Sequence, residues 1–320
     1  MKLAAAIVLT ILLGTVGWFA ILHESSAPGD AQWIEGLYQH KEAAAAQVSG
    51  PKVFLLGGSA THFSYSAHVL AEATGLNVVN FGTQASLGFD YELYRARRSI
   101  KSGDTVILVL ETPGFEDSDV SRVLARYVDY YDPSYLLHAG ADVPRLIFGV
   151  SPLDYFETRV ANRIPHKGPL YLSDTVDELG DETANTASND TKFMRVHVHF
   201  MAPFKPVVVG RPMEAVQSFV AWAKTRGVKV YFGWAPTLER AAYGDASYVA
   251  SLNGLASSFR AMGAPVLGVP SEFLLHEAEM LDTQYHATSG GRRRMTTLLA
   301  EELCKVTACP NHRDGGQGIY

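Results

Sequence analysis

The sequence predicts an α/β protein built on a doubly wound parallel sheet, with a large insertion and an apolar helix at its N-terminal end. Three observations carry this. Short apolar runs that end in glycine alternate with stretches of helical spacing; the alternation breaks between about 112 and 207; and residues 3–22 carry no charge. Strands buried on both faces read as continuous apolar runs, and crossover helices between them produce the alternation.

Lys2 is followed by an uncharged apolar run from Leu3 to Leu22, then by His23 and Glu24. About 20 residues at roughly 1.5 Å each match a hydrocarbon core of about 30 Å. The apolar centre of a cleaved signal peptide is shorter, roughly 7–15 residues. The length therefore favours a transmembrane anchor over 1–23, while Ser25-Ser26-Ala27 keeps a cleaved signal segment open. Lys2 predicts the N-terminus inside and the remainder outside. Both readings export the body, either as a single-pass protein of the inner (cytoplasmic) membrane facing the periplasm or exterior, or as a secreted protein. Residues 24–51 read as a linker with a short amphipathic stretch from Trp33 to Gln47.

The alternation then defines a domain over 52–305. Val53–Leu56 is a strand closed by Gly57-Gly58, Ala67–Thr74 a helix stopped by Gly75, and Asn77–Phe81 a second strand. Phe89–Ile100 follows as a helix and Thr105–Leu110 as a third strand. The stretch 112–207 is rich in aromatics and prolines and has a polar run from Ser173 to Lys192. It reads as an insertion acting as a lid or substrate platform. Helix Met213–Thr225, strand Val228–Gly233, helix Ala246–Met262 and strand Pro265–Val269 resume the pattern. A final helix over Gly291–Cys304 puts Met295, Leu298, Leu299 and Leu303 on one face, and 306–320 is a tail.

Of the 320 residues, 47% are hydrophobic and 19% charged, and the net charge is −6 with no long basic run. Nucleic-acid binding lacks its electrostatic footprint. Cys304 and Cys309 are the only cysteines. In an exported protein such a pair forms a disulfide; free thiols or half of a metal site are the alternatives.

Ligands of open parallel sheets bind at the carboxyl ends of the strands. Three features fall there. Gly57-Gly58-Ser59-Ala60-Thr61 follows the first strand, on a turn that projects the serine hydroxyl. Asn80-Phe81-Gly82 follows the second, with a glycine whose backbone can approach a substrate. Asp282-Thr283-Gln284-Tyr285-His286 precedes the last helix and offers the base and the acid that a serine nucleophile needs. Trp234, past the fourth strand, suits stacking on a sugar or packing in the core. His197-x-His199 lacks a third ligand and reads as surface histidines. Arg292-Arg293-Arg294 reads as a solvated helix face. No metal and no cofactor are expected.

The early strand-GGS, the NFG after the second strand and the late Asp…His element together resemble the SGNH/GDSL hydrolase superfamily, over roughly Lys52 to Cys304. The resemblance implies a flavodoxin-like three-layer fold. It implies Ser59 as nucleophile, His286 as base, Asp282 as its acidic partner and Gly82 as an oxyanion donor. Two departures stand out. The position three before the histidine, usually aspartate, is Thr283, and Asp282 lies four before it. The third strand ends in Glu111 where the family carries an asparagine donor; Thr61, Thr83 and Gln84 are the candidate replacements. The apolar N-terminus and the DTQYHATSGGR segment are similar to cell-envelope O-acyltransferases, of the teichoic-acid D-alanyl transfer and exopolysaccharide acetyltransferase types. That similarity implies O-acyl transfer to an envelope or secreted polysaccharide through an acyl-Ser59 intermediate. It also implies a multi-pass membrane acyltransferase partner supplying the acyl group. An esterase using the same residues, and a non-catalytic glycan-binding or assembly component, are the competing readings.

Overall fold

Strand β1 (Val53–Gly57) lies at the middle of a four-stranded sheet with β2 (Val78–Asn80), β3 (Thr105–Leu110) and β4 (Lys229–Trp234), in the order β2-β1-β3-β4. Every pairing is parallel. All five residues of β1 are buried, as are those of β3 and β4 beyond their first, because helices cover both faces. The computed structural model describes residues 2–24, 27–115, 120–150, 171–193 and 210–311, with the side chains of 18–24, 191–193 and 242 outside that description. The histidines at 197 and 199 fall outside it.

The chain steps outward from β1 to β2 through α3 (Ser59–Ser64) and α4 (Ala67–Thr74), then returns across β1 to β3 through α5 (Gly88–Ala96). Right-handed crossovers taken in opposite directions put α3 and α4 on one face and α5 on the other. Helix α5 packs against α9 (Arg211–Thr225), and α4 against α11 (Ser289–Cys304). The order reverses between β1 and β3, and the crevice at such a switch point is where ligands bind.

Local chemistry explains the sharp boundaries. The Ser66 side chain accepts from the Val69 N–H, and Gly75 ends α4 at φ +74°, a left-handed conformation that glycine adopts without a Cβ penalty. The strand expected over Pro265–Val269 is absent. Only Val266 bridges to Phe232, because Gly263 and Gly268, at φ +87° and +66°, turn the backbone away on both sides. A two-stranded parallel sheet pairs β5 (Thr237–Leu238), which precedes α10 (Ala246–Ala261), with β6 (Leu274–Leu275), which follows it. Cys304 and Cys309 are joined by a disulfide just past α11.

The chain divides into two units, Met1–Glu35 with Val120–Gly168, and Gly36–Asp119 with Pro169–Tyr320. The first holds α1 (Lys2–Glu24), α6 (Arg122–Tyr131) and α7 (Val143–Phe148). There α6 packs on α7, and the Tyr127 hydroxyl donates to Glu35 at 2.6 Å. No described helix is long and apolar enough to cross a membrane. The expected span over 1–23 is thus not found among the described residues, although α1 is helical throughout. The stretch read as a linker instead forms α2 (Gly29–Gln47), whose Ala43–Ala46 run carries the highest helix propensity of any residue type.

The second unit contains the sheet and the later part of the insertion, which ends in α8 (Ala187–Phe193) among the described residues. The described residues of that part pack into the domain through buried polar groups. Asp181 accepts from Ser66 Oγ, from the Ala67 N–H and from Asn80 Nδ2, and pairs with Arg292 at 3.1 Å. Lys41, fully buried, donates to the carbonyls of Asn80 and Gly180, and burial pushes its pKa down to about 7. Arg292 also donates to the carbonyls of Tyr65 and Glu182. The solvated arginine face expected at 292–294 is corrected at Arg292, which is buried because a carboxylate in the insertion provides its partner.

Candidate active site

Ser59 opens α3 directly beyond β1, at the switch point. The two glycines before it are required by close approach. A Cβ on Gly57 would stand 2.0 Å from the Val109 carbonyl oxygen, and one on Gly58 2.7 Å from Ala85 Cα and from Glu111 Oε1. Ser59 is half-buried. Its Oγ makes no hydrogen bond among the described residues, His286 included.

His286 comes from a tight turn closed by the Leu281 N–H donating to the His286 carbonyl at 2.8 Å. The turn folds Asp282 back onto the ring, and Asp282 Oδ1 lies 2.8 Å from His286 Nδ1. The offset of four that departs from the family spacing is the one the turn needs. Thr283, three before the histidine, accepts from the Tyr285 N–H instead. With Nδ1 held, Nε2 is the ring nitrogen left for proton transfer.

Helix α3 grips this turn. Ser64 Oγ donates to the Tyr285 carbonyl at 2.7 Å and accepts from the Ala287 N–H at 2.8 Å, on either side of His286. The Phe63 ring lies 4.5 Å, centroid to centroid, from the His286 ring. Helical side chains one turn apart share a face and lean toward the N-terminus. Phe63 therefore carries His286 on the face of α3 that begins with Ser59. Asn185, from the insertion, adds bonds from its Nδ2 to the carbonyls of Phe63 and Ala287.

Tyr171 completes the turn. Its hydroxyl donates to Asp282 Oδ2 at 2.5 Å and lies 3.4 Å from His286 Nδ1. Its ring is edge-on to Phe63. Tyr171 is the only described residue other than glycine with positive φ, at 65°, a conformation costing roughly 1–2 kcal/mol for a residue with a Cβ. Burial of Asp282 raises its pKa, but hydrogen bonds from His286 and Tyr171 outweigh this and hold the carboxyl below its ordinary range. It is an anion at neutral pH, able to stabilise an imidazolium.

The expected oxyanion donors are placed less favourably. The Gly82 N–H donates to Asn80 Oδ1 at 3.0 Å, and a Cβ there would stand 2.4 Å from the His62 backbone nitrogen. The glycine serves packing against α3. The Thr61 hydroxyl, fully buried, donates to the Val109 carbonyl. Gln84 is half-buried at the same end of the sheet and its amide has no partner among the described residues. Trp234 is 4% exposed, and its indole N–H donates to the Gly268 carbonyl. It is core and offers no stacking face to a sugar. Glu111 takes the place at the end of β3. Its Oε1 accepts from the Ala60 N–H at 2.8 Å, and its buried Oε2 has no partner among the described residues. Burial pushes this carboxyl up, against the Ala60 N–H and the charge of His286.

Of the three residues the sequence marks, Asp282 and His286 are in contact on a turn held by α3, the helix that Ser59 opens. Sequence reasoning missed Tyr171, Ser64 and Asn185. Nothing in local pattern marks them, since each acts through a partner more than a hundred positions away. No protein-family model and no curated protein matches the chain.

Proposed function

We propose that the protein is an extracytoplasmic serine acyl-ester enzyme, a member of the SGNH type, that transfers an acyl group to an envelope or secreted polysaccharide. The observation that carries this reading is the Asp282–His286 hydrogen bond of 2.8 Å, made beside the helix that Ser59 begins. Ser59 Oγ attacks the carbonyl carbon of an acyl donor while His286 Nε2 takes the hydroxyl proton. Collapse of the tetrahedral intermediate expels the donor's leaving group, which regains that proton, and leaves an ester on Ser59. A sugar hydroxyl then attacks the ester and gives its proton to His286. The product ester departs, and the proton returns to Ser59. The N–H of Ser59 and the Gln84 amide are the donors nearest to hand for the oxyanion.

Export is supported by the Cys304–Cys309 disulfide, since such bonds persist in oxidising compartments, and by the uncharged run over 3–22. A multi-pass membrane protein delivering the acyl group is the partner this reading requires. Purified protein is treated with a fluorophosphonate, which traps activated serines. We expect a stable adduct on Ser59 that Ser59→Ala abolishes. Folded wild-type protein that stays unlabelled would sink the proposal. Acetate released from an acetylated polymer without any dependence on acceptor would identify an esterase with the same site.

The engagement of Gly82 and Thr61 within the fold favours a second reading, a non-catalytic glycan-binding component. Removing one oxyanion donor costs about 10²–10³ in rate, and two expected donors are occupied. Persistent failure to label, together with binding of the polymer, would establish it.

A further inference from the structure

We infer that Tyr171, supplied by the insertion, is a positioning residue for the Asp282–His286 pair; the inference rests on the serine-enzyme reading. The hydroxyl has one proton, and it donates it to Asp282 Oδ2 while Oδ1 faces His286 Nδ1. Both carboxylate oxygens are thereby engaged, so the carboxylate is held against rotation and presents one oxygen to the ring. The same hydroxyl oxygen stands 3.4 Å from His286 Nδ1, at the elbow of the pair, where a second acceptor supports the Nδ1-protonated tautomer and leaves Nε2 to face the nucleophile.

Two independent observations point the same way. The Tyr171 backbone adopts φ 65°, and an L-residue other than asparagine or aspartate persists there only when the surrounding structure holds it. The ring is clamped by Phe63, 5.4 Å centroid to centroid, which itself packs on His286. The phenol thus joins the insertion to the Asp282 carboxylate, beside the bonds that Asn185 makes to Phe63 and Ala287. The groups facing Asp282 are His286 and Tyr171 themselves, and burial keeps the phenol protonated, raising its pKa beyond the ordinary range.

Tyr171→Phe keeps the ring and removes the hydroxyl. In full-length protein we expect the second-order rate of fluorophosphonate labelling at Ser59 to fall about tenfold, less than in Asp282→Asn, because the carboxylate remains. The double variant Tyr171→Phe/Asp282→Asn should label no more slowly than Asp282→Asn alone. The Asp282 carboxyl, followed by carbon NMR, should titrate at higher pH in Tyr171→Phe, since one of the bonds that hold it low is gone. Equal labelling rates in wild type and Tyr171→Phe, additive losses in the double variant, or an unmoved Asp282 titration would each overturn the inference. If wild-type protein does not label, the serine-enzyme reading fails, and the Asp282 titration still decides whether Tyr171 holds the carboxylate.

Discussion

Phe63 stands between two histidine–carboxylate pairs that ought to be alike and are not. On one side His62, also on α3, faces Glu182 at 3.4 Å with both side chains fully buried. On the other, His286 faces Asp282 at 2.8 Å with side chains 6% and 14% exposed. Burial, with Lys41 close by, pushes His62 down to about 4 against the pull of Glu182, so the inner ring is neutral at physiological pH. A neutral imidazole sealed from solvent can neither take a proton from a substrate nor return one. The outer pair retains a route to solvent, an anionic carboxylate and an Nε2 without a partner among the described residues. Both are histidine–carboxylate pairs, one through Nε2 to a glutamate and one through Nδ1 to an aspartate; accessibility is what suits the outer one to the proton transfer proposed for it.

The widest test of this contrast is Asp282→Asn. Fluorophosphonate labelling should fall by about 10³–10⁴, as when a histidine loses the carboxylate that sets its tautomer, with the thermal melting point nearly unchanged. A melting point lowered as far as by a core substitution would mean that the outer pair is structural too. The inner pair should answer in stability. His62 has a folded pKa below its unfolded value, so its contribution is present above about pH 6.5 and is lost as pH falls toward 4, by roughly 3 kcal/mol at most. Denaturant titrations from pH 7 to 4 should show the loss, and His62→Phe should flatten part of it; the depressed carboxyls of Asp181 and Glu182 lose their share only below their own ordinary range. An identical pH slope in His62→Phe would place the acid lability elsewhere. The smallest effect expected is that of Glu182→Gln. Removing the charge that accepts from the Ala184 N–H at 2.7 Å and faces His62 should lower stability by about 2 kcal/mol, read as a shifted urea midpoint, while the labelling rate per folded molecule stays near that of wild type.

Lys41 and Arg292 extend the lesson to the sheet's other buried charges. Each is cationic by type, yet each sits in the interior among carbonyls and the Asp181 carboxylate. A hydropathy pattern assigns such residues to the surface, because burying a charge is expensive unless a partner waits for it. For Arg292 the partner lies over a hundred positions away in the insertion. That is why the insertion reads as a lid and is found, from Tyr171 to Asp190, to brace α3, α4 and the histidine turn.

Much of the frame was nevertheless legible. Four of the five apolar runs become β1 to β4 within a residue or two, and Ala67–Thr74 forms the helix its spacing predicts, since period, caps and glycine stops are local properties. Ser59 at a strand end and Asp282 a turn before His286 follow from the same local logic. What the order of residues could not determine is where side chains from distant segments meet. That Gly82 and Thr61 turn their donors inward, that Trp234 closes the core, that Glu111 rests on the Ala60 N–H and that Tyr171 holds Asp282 were all decided by tertiary structure. Each depends on the direction of a side chain or an N–H after the sheet has closed, and on burial that sets its charge. A one-dimensional pattern carries neither.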